Sequence, residues 1–529
     1  MNNTPTRRSF LGLSVAATAI AALSACTPAT TASQQNRILP TDPLIAKIEA
    51  ARAATGTTIT KTLSPAPLTT TLAGKPITTA GYNGTLVAPT LRGTVGDQLT
   101  ITIANKLSAG TSVHWHGLAL SNNNDGVPGL TQDAFAPGSQ NGYNFKLPHP
   151  GTYWYHSHVE MQREQALYGA LIIEDPNETL VYDKEWVIVL DDWLDGISGT
   201  PTDVLKELSQ GMGGGMSGGG MDGMGHGNPD QEKTDQGKTS QGNTGPGGMS
   251  MGHMLMGASS DFLGGDAGDV AYPLHLFNGK DPENPETFTA TPGEKIRLRI
   301  INAAGDTAYR VGVPGQQLTL THTDGLPIKH TEVDAVVLGM GERIDALLTA
   351  KDGITPVLAL AEGKGQMTYG LIATGTGTVP ARESLPSTLT GTVLHGGQLT
   401  ADPSVTLPAK KPDRVHELRL TGGMMKYDWG INGHRFDPAH PFENAFDLKA
   451  GERVEVKFIN DTMMWHPMHI HGHTFQIGTA GARKDTVIVR PMETVSVQFD
   501  ADNPGQWLFH CHNAYHAERG MMGVFSYLA

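Results

Sequence analysis

The 529-residue sequence carries 38 basic and 52 acidic side chains, a formal charge of −14, which excludes nucleic acid as a principal partner. Its 65 glycines and 33 prolines favour turns over long helices, and the length suits three or four β-rich domains. Two cysteines, Cys26 and Cys511, exclude a disulfide framework, and no apolar run beyond the N-terminus reaches the roughly 20 residues of a membrane span.

In chain order, Arg7-Arg8-Ser9-Phe10-Leu11-Gly12 precede an apolar stretch from Leu13 to Leu23. This resembles a twin-arginine (Tat) signal, which exports proteins already folded. Leu23-Ser24-Ala25-Cys26 resembles a bacterial lipobox, in which Cys26 is lipidated. Residues 1–26 are thus expected to be a signal and 27–50 a tether. The protein is expected outside the cytoplasm, on the outer face of the cell membrane or in the periplasm, touching membrane only through the lipid.

One ten-residue pattern recurs three times: GDQLTITIAN at 96–105, GEKIRLRIIN at 293–302 and GERVEVKFIN at 451–460. Apolar residues alternate within each copy, the period of an antiparallel strand with one face on a core. A second pair, PGTYWYHSH at 150–158 and PGQWLFHCH at 504–512, relates the first and last thirds. The spacing predicts β-domains over 51–180, 181–378 and 414–529, joined by a linker at 379–413. The second domain is lengthened by a Gly-rich segment, 211–257, holding Met212, Met216, Met221, Met224, Met249, Met251, Met254 and Met256 with His226 and His253. Such composition predicts a mobile insertion.

Four motifs carry chemistry: His114-Trp115-His116, His156-Ser157-His158, His466-Pro467-Met468-His469-Ile470-His471, and His510-Cys511-His512 continuing to His516 and Met521. Residues two apart on a strand share a face at about 6.5 Å, so each motif projects a pair of imidazoles. Alternation sends Cys511 to the face opposite His510 and His512, letting one strand serve two sites. His466, Cys511 and His516 supply two nitrogens and a soft sulfur, and Met521 a weak thioether; that set is the signature of a blue-copper electron-transfer centre. Met522 competes for the axial place, and the even spacing of Cys511, His516 and Met521 favours Met521.

On these motifs the chain, over about 50–529, resembles a three-domain multicopper oxidase of the laccase and bacterial cuprous-oxidase group. The resemblance implies an all-β fold of three cupredoxin-like Greek-key β-sandwich domains and four copper ions. His466, Cys511, His516 and Met521 would hold the type 1 copper, and His114 and His469 the type 2 copper. His116, His156, His158, His471, His510 and His512 would hold the type 3 pair. Ser157 stands in the place of Cys511 in the first domain, and no His-x-His follows Asn302, so the second domain is expected to be a metal-free spacer.

The resemblance implies that four single electrons from a reducing substrate pass through Cys511 to His510 and His512, and that dioxygen becomes two waters. Asp125 occupies the place of an acid that delivers protons to the cluster. Related cuprous oxidases carry a carboxylate directly after the second type 1 histidine; here Ala517 follows His516 and Glu518 comes next. Soft thioethers prefer Cu(I), so the methionines of 211–257, with Asp461, Met463 and Met464 beside His466, point to Cu(I) as substrate in copper tolerance. Two alternatives are a laccase-like oxidase of small aromatic reductants, phenols or aromatic amines, and a non-catalytic copper-sequestering lipoprotein.

Overall fold

The computed structural model describes residues 36–211 and 248–529. Strands dominate, and among the described residues no helix is long and apolar enough to cross a membrane. Each copy of the ten-residue repeat becomes a central strand: Gln98–Ala104, Lys295–Asn302 and Arg453–Asn460. Alternation predicts antiparallel pairing, and each strand has it on one side only, against Gln140–Lys146, Arg343–Thr349 and Thr494–Asp500. On the other side each is parallel to the opening strand of its own unit, Thr58–Leu63, Lys184–Trp193 or Arg414–Gly423.

The asparagine ending each repeat has the same task three times. Asn105, Asn302 and Asn460 are buried. Each Nδ2 donates to two carbonyls further along the chain: Ala109 and Phe135, Thr307 and Leu338, Met464 and Val489. Each Oδ1 accepts the N–H two residues on. A carboxamide with donors and an acceptor in one plane closes the loop that leaves the strand, which a hydroxyl or a carboxylate cannot do.

The outer copies keep one half-buried face, whereas Ile296–Asn302 is buried on both. The first domain covers the second there: Arg299 donates to Thr152, Glu185 and Asp345, and Arg297 to Asp345 and Glu178. Two six-stranded sheets form the second unit, and a six-stranded and a five-stranded sheet the third.

Three segments differ from the sequence expectation. From Asn36 onward the supposed tether is docked. Ile38 N–H donates to the Tyr527 carbonyl, Ala529 N–H to that of Asn36, and Arg37 pairs with Asp447. Pro43–Ala51 then forms a helix capped by the Asp42 carboxylate on Leu44 N–H. The insertion ends earlier than its composition suggests. Met249–Met251 and Met254–Met256 pair as a hairpin, because Met254 and Leu255 pack into cores and the His253 imidazole bonds to Glu207 and the Ser198 carbonyl. The stretch read as a linker adds Val393–His395 to the second unit as a parallel edge strand beside Ala335–Leu338. Cys26, Met212, Met216, Met221, Met224 and His226 lie outside the described residues.

Candidate metal centre

Strand pairing assembles the histidines. In the first domain His114 lies directly opposite His156 across an antiparallel pair. In the third, His469 lies opposite His510 and Met468 opposite Cys511. The two strand pairs present their histidine faces to each other, so that His114 stacks on His471 at 3.8 Å and His116 on His469 at 3.7 Å between ring centroids. Donor atoms fall into groups lying within 4.8 Å: His114, His116 and His469; His116, His156 and His512; His158, His471 and His510; and His466, Cys511 and His516.

Hydrogen bonding shows what those groups want. His114 Nδ1 donates to the Asp125 carbonyl, His156 Nδ1 to that of Ser157, His469 Nδ1 to that of Asp485 and His510 Nδ1 to that of Cys511. A proton held on Nδ1 leaves Nε2 as a bare lone pair. The Nε2 atoms of His114, His156, His469 and His512 are buried with no partner. His471 Nε2 and His510 Nε2 face each other at 3.2 Å. His510 has its proton on Nδ1, and His471 Nδ1 bonds to the Asp125 carboxylate at 3.0 Å, so both facing atoms are acceptors. Each unmet buried polar atom costs about 1–3 kcal/mol. Converging lone pairs of this number are made good by cations, and a donor set of imidazoles with one thiolate suits copper. Burial, reinforced by neighbouring imidazoles, holds His156, His158, His471, His510 and His512 well below the usual imidazole range, in the neutral form that ligation needs.

His116 is the exception among the cluster histidines described. Its Nε2 meets Asp485 Oδ1 at 3.1 Å and Thr486 Oγ1 at 3.2 Å, and its Nδ1 is the unpartnered atom.

The fourth group is separate. His466 Nδ1 and His516 Nδ1 are 3.1 Å apart, and Cys511 Sγ is 3.6 and 3.7 Å from them. Outer nitrogens are anchored: His466 Nε2 on Thr462 Oγ1 at 2.8 Å, His516 Nε2 on Asp269 Oδ2 at 2.9 Å. Burial pulls the His516 imidazolium down, but Asp269 and Cys511 more than offset it and hold the ring up to about 10, a proton that a cation bound at Nδ1 would displace. Trp429 covers His516 at 4.2 Å.

Strand parity separates the methionine doublet. Met522 lies directly opposite His510 across the antiparallel pair, on the face of the cluster histidines. Met521 precedes it and falls on the Cys511 side: its carbonyl accepts the Cys511 N–H, its N–H donates to the His516 carbonyl, and its side chain is fully buried beside Cys511 in one core. Met522 instead borders a cavity of about 20 Å³, room for one water-sized molecule, together with His158, His510, Arg163 and Glu518. Burial pushes the Glu518 carboxyl up to about 7.

Asp125 is enclosed between two rings, its carboxylate 3.2 Å from His114 Nδ1 and 3.0 Å from His471 Nδ1, and burial raises its carboxyl. The three residues suggested for Cu(I) have different surroundings. Asp461 is engaged by Arg419 at 2.7 and 2.8 Å, Met464 is buried in the core, and Met463 is 74% exposed. Asp269, Arg343 and Asp485 escaped sequence reasoning. Each acts over a long separation through one side chain, which leaves no periodic or spacing signal.

Three family models, each described as multicopper oxidase, match residues 67–178, 184–357 and 409–528. The chain is 41% identical to the multicopper oxidase MmcO of Mycobacterium tuberculosis, over 99% of this chain and 96% of that protein. It is 28% identical to copper resistance protein A of Escherichia coli, over 83% of this chain and 87% of the other. Among solved structures, Fet3p, a multicopper oxidase that functions in iron import, superposes with a TM-score of 0.70 at 21% identity, covering 89% of this chain and 90% of that one. The laccase of Botrytis aclada superposes at 0.69 with 24% identity, covering 91% and 90%.

Proposed function

The chain belongs to the multicopper oxidase family, and from that premise we propose that it oxidises copper(I) outside the cytoplasm with dioxygen as electron acceptor. In this reading His466, Cys511, His516 and Met521 hold a type 1 copper, and His114 and His469 a type 2 copper. His116, His156 and His512 hold one member of a type 3 pair, and His158, His471 and His510 the other. Copper in these donor sets supplies one-electron transfer and dioxygen binding.

The protein supplies the rest. One observation carries the reading: the strand Gln506–Cys511 and the residue after it give a sulfur to one donor group and imidazoles to two others. Cys511 is therefore joined to both cluster sites by consecutive covalent bonds, the shortest path a chain can offer an electron. Asp125 Oδ2, 3.0 Å from His471 Nδ1, is placed to hold and pass a proton beside the cluster. Trp154, tilted at 4.5 Å from His156 and 5.0 Å from His116, and buried Trp429 keep water from the donors.

Copper(I) as substrate is supported by the copper resistance proteins among the relatives and by the thioethers of 211–257 and Met463. Export by a Tat signal and a lipid on Cys26 complete the proposal. The test is oxygen uptake by copper-loaded protein with Cu(I) or a simple phenol as donor, for the native chain and for a deletion of 212–247 that spares the docked hairpin. Fast uptake on Cu(I), slowed by the deletion while uptake on phenol is not, is the expected result. Preference for phenol with no effect of the deletion would favour the laccase reading. Copper tolerance unchanged by Cys511→Ser would favour sequestration.

A further inference from the structure

The second domain contributes none of the proposed ligands, yet its Gly339–Arg343 turn lies directly on them. A Cβ on Gly341, which has φ +86, would stand 3.0 Å from His116 Cε1 and 3.0 Å from His512 Cδ2. Two residues on, the fully buried Arg343 touches all three domains. Its Nε donates to the Thr152 carbonyl, its Nη1 to its own Gly341 carbonyl, and its Nη1 and Nη2 to Asp485 Oδ1 and Oδ2 at 2.7 and 2.6 Å.

Asp485 is the acceptor that reverses His116. A carboxylate oxygen 3.1 Å from His116 Nε2 can only accept, so the ring proton sits on Nε2 and the lone pair on Nδ1 faces His156 and His512. Asp485 also orients His469, whose Nδ1 donates to its carbonyl. The backbone has been shaped around this pair. Gly117, the residue after the His114-Trp115-His116 motif, has φ +89, and a Cβ there would lie 2.4 Å from Arg343 Nη2 and 2.6 Å from Asp485 Oδ2. Only glycine follows His116 without displacing the ion pair.

We infer that Arg343, acting through Asp485, determines which nitrogen of His116 faces the cluster, so that the second domain sets the donor geometry of a copper site to which it gives no ligand. Arg343 and Asp485 are positioning residues, and the inference rests on the ligand assignment proposed above. The guanidinium clamps both carboxylate oxygens, fixing the plane of Asp485 and keeping Oδ1 on His116. Without it only the Thr486 hydroxyl holds Asp485 Oδ1, Nε2–H is left with the weaker Thr486 oxygen at 3.2 Å when the carboxylate turns, and His116 can adopt the opposite tautomer with no lone pair aimed at its neighbours.

The test compares copper-loaded native protein with Asp485→Leu, Arg343→Gln, Arg343→Lys and the isosteric Asp485→Asn. Copper per chain, the type 2 electron paramagnetic resonance spectrum and the near-ultraviolet absorption of the type 3 pair are measured. The blue thiolate–copper band of Cys511, to whose donor group neither residue hydrogen-bonds, reports that the third domain is folded. The expected result is a retained blue band with cluster copper cut at least twofold, or the type 3 absorption lost, in Asp485→Leu and Arg343→Gln. Partial recovery is expected in Arg343→Lys and in Asp485→Asn, which keeps an acceptor. Full copper with unaltered type 2 and type 3 spectra in all four variants would overturn the inference. If Asp485→Leu loses its blue band, Arg343→Gln decides: unaltered cluster spectra in that variant, with its blue band retained, overturn it equally. Native protein that fails to load its cluster histidines would instead overturn the ligand assignment.

Discussion

The asparagine that ends each repeat offers a quantitative test of how the fold supports the centre. In Asn460→Ala the Thr462 N–H, 2.9 Å from Oδ1, is left buried without a partner. The Met464 carbonyl keeps the Thr462 hydroxyl at 3.1 Å and the Val489 carbonyl keeps its ladder place opposite His466, so neither is counted. One orphaned backbone donor at about 1–3 kcal/mol predicts a loss of that size. A protein of three domains does not unfold in one step, so total unfolding is the wrong measure. Urea unfolding should instead be followed through the blue band of copper-loaded protein, which reports the domain holding His466 and Cys511, and converted with the slope of that transition. Lys457→Ala on the same strand, where an exposed ammonium lies 3.4 Å from Glu417, is the control and should shift the transition by less than about 0.5 kcal/mol. A loss under about 1 kcal/mol in Asn460→Ala would refute the argument, because it would mean that water satisfies the Thr462 N–H as well as the carboxamide does.

Other expectations follow from the same geometry. Met521→Leu should raise the type 1 reduction potential by removing a weak axial donor, whereas Met522→Leu should leave it unchanged; redox titration of the blue band reads both. Burial pushes the Asp345 carboxyl up, but Arg297 and Arg299 more than offset it and hold it down at about 2, below its ordinary 3.8. That difference is worth about 2 kcal/mol, present above pH about 4 and lost as pH falls towards about 2, so thermal midpoints should drop steeply across that window. Asp345→Asn, less stable throughout, should show a shallower drop there. Truncation of the chain through Ala51 should destabilise the domain carrying the blue band, because Gln506 Nε2 loses the Ile38 carbonyl and Asp447 loses Arg37; truncation through residue 35 should not.

What was legible in the sequence is what strand geometry writes periodically. Alternation marked the three repeat strands, and spacing of two put His114 with His116 and His469 with His471. The same parity set Cys511 apart from its neighbours. Legibility failed where a single residue acts across the chain. Asp485 meets His116 over a separation of 369 residues and Arg343 over 142, and neither lies in a pattern. Composition also misjudged the end of the Gly-rich segment, since a few apolar contacts from Met254 and Leu255 are enough to dock a hairpin whose sequence resembles its surroundings. The arm at 36–51 looked like a spacer because its value lies in bonds to residues near the other terminus.

That arm constrains the order in which the molecule can be completed. Asn36 and Ile38 bond to Ala529 and Tyr527, which are made much later in synthesis. Vectorial folding can finish the first two units, but the third stays open along one edge until the segment around Tyr527 is made, and the sites its histidines share with the first domain wait on the strand Gln506–Cys511 in the same way. Loop closure over nearly the whole length is also the slowest class of contact to form. The protein is therefore built so that nothing able to hold copper as a cluster exists until His510 and His512 have been made and have met the histidines of the first domain.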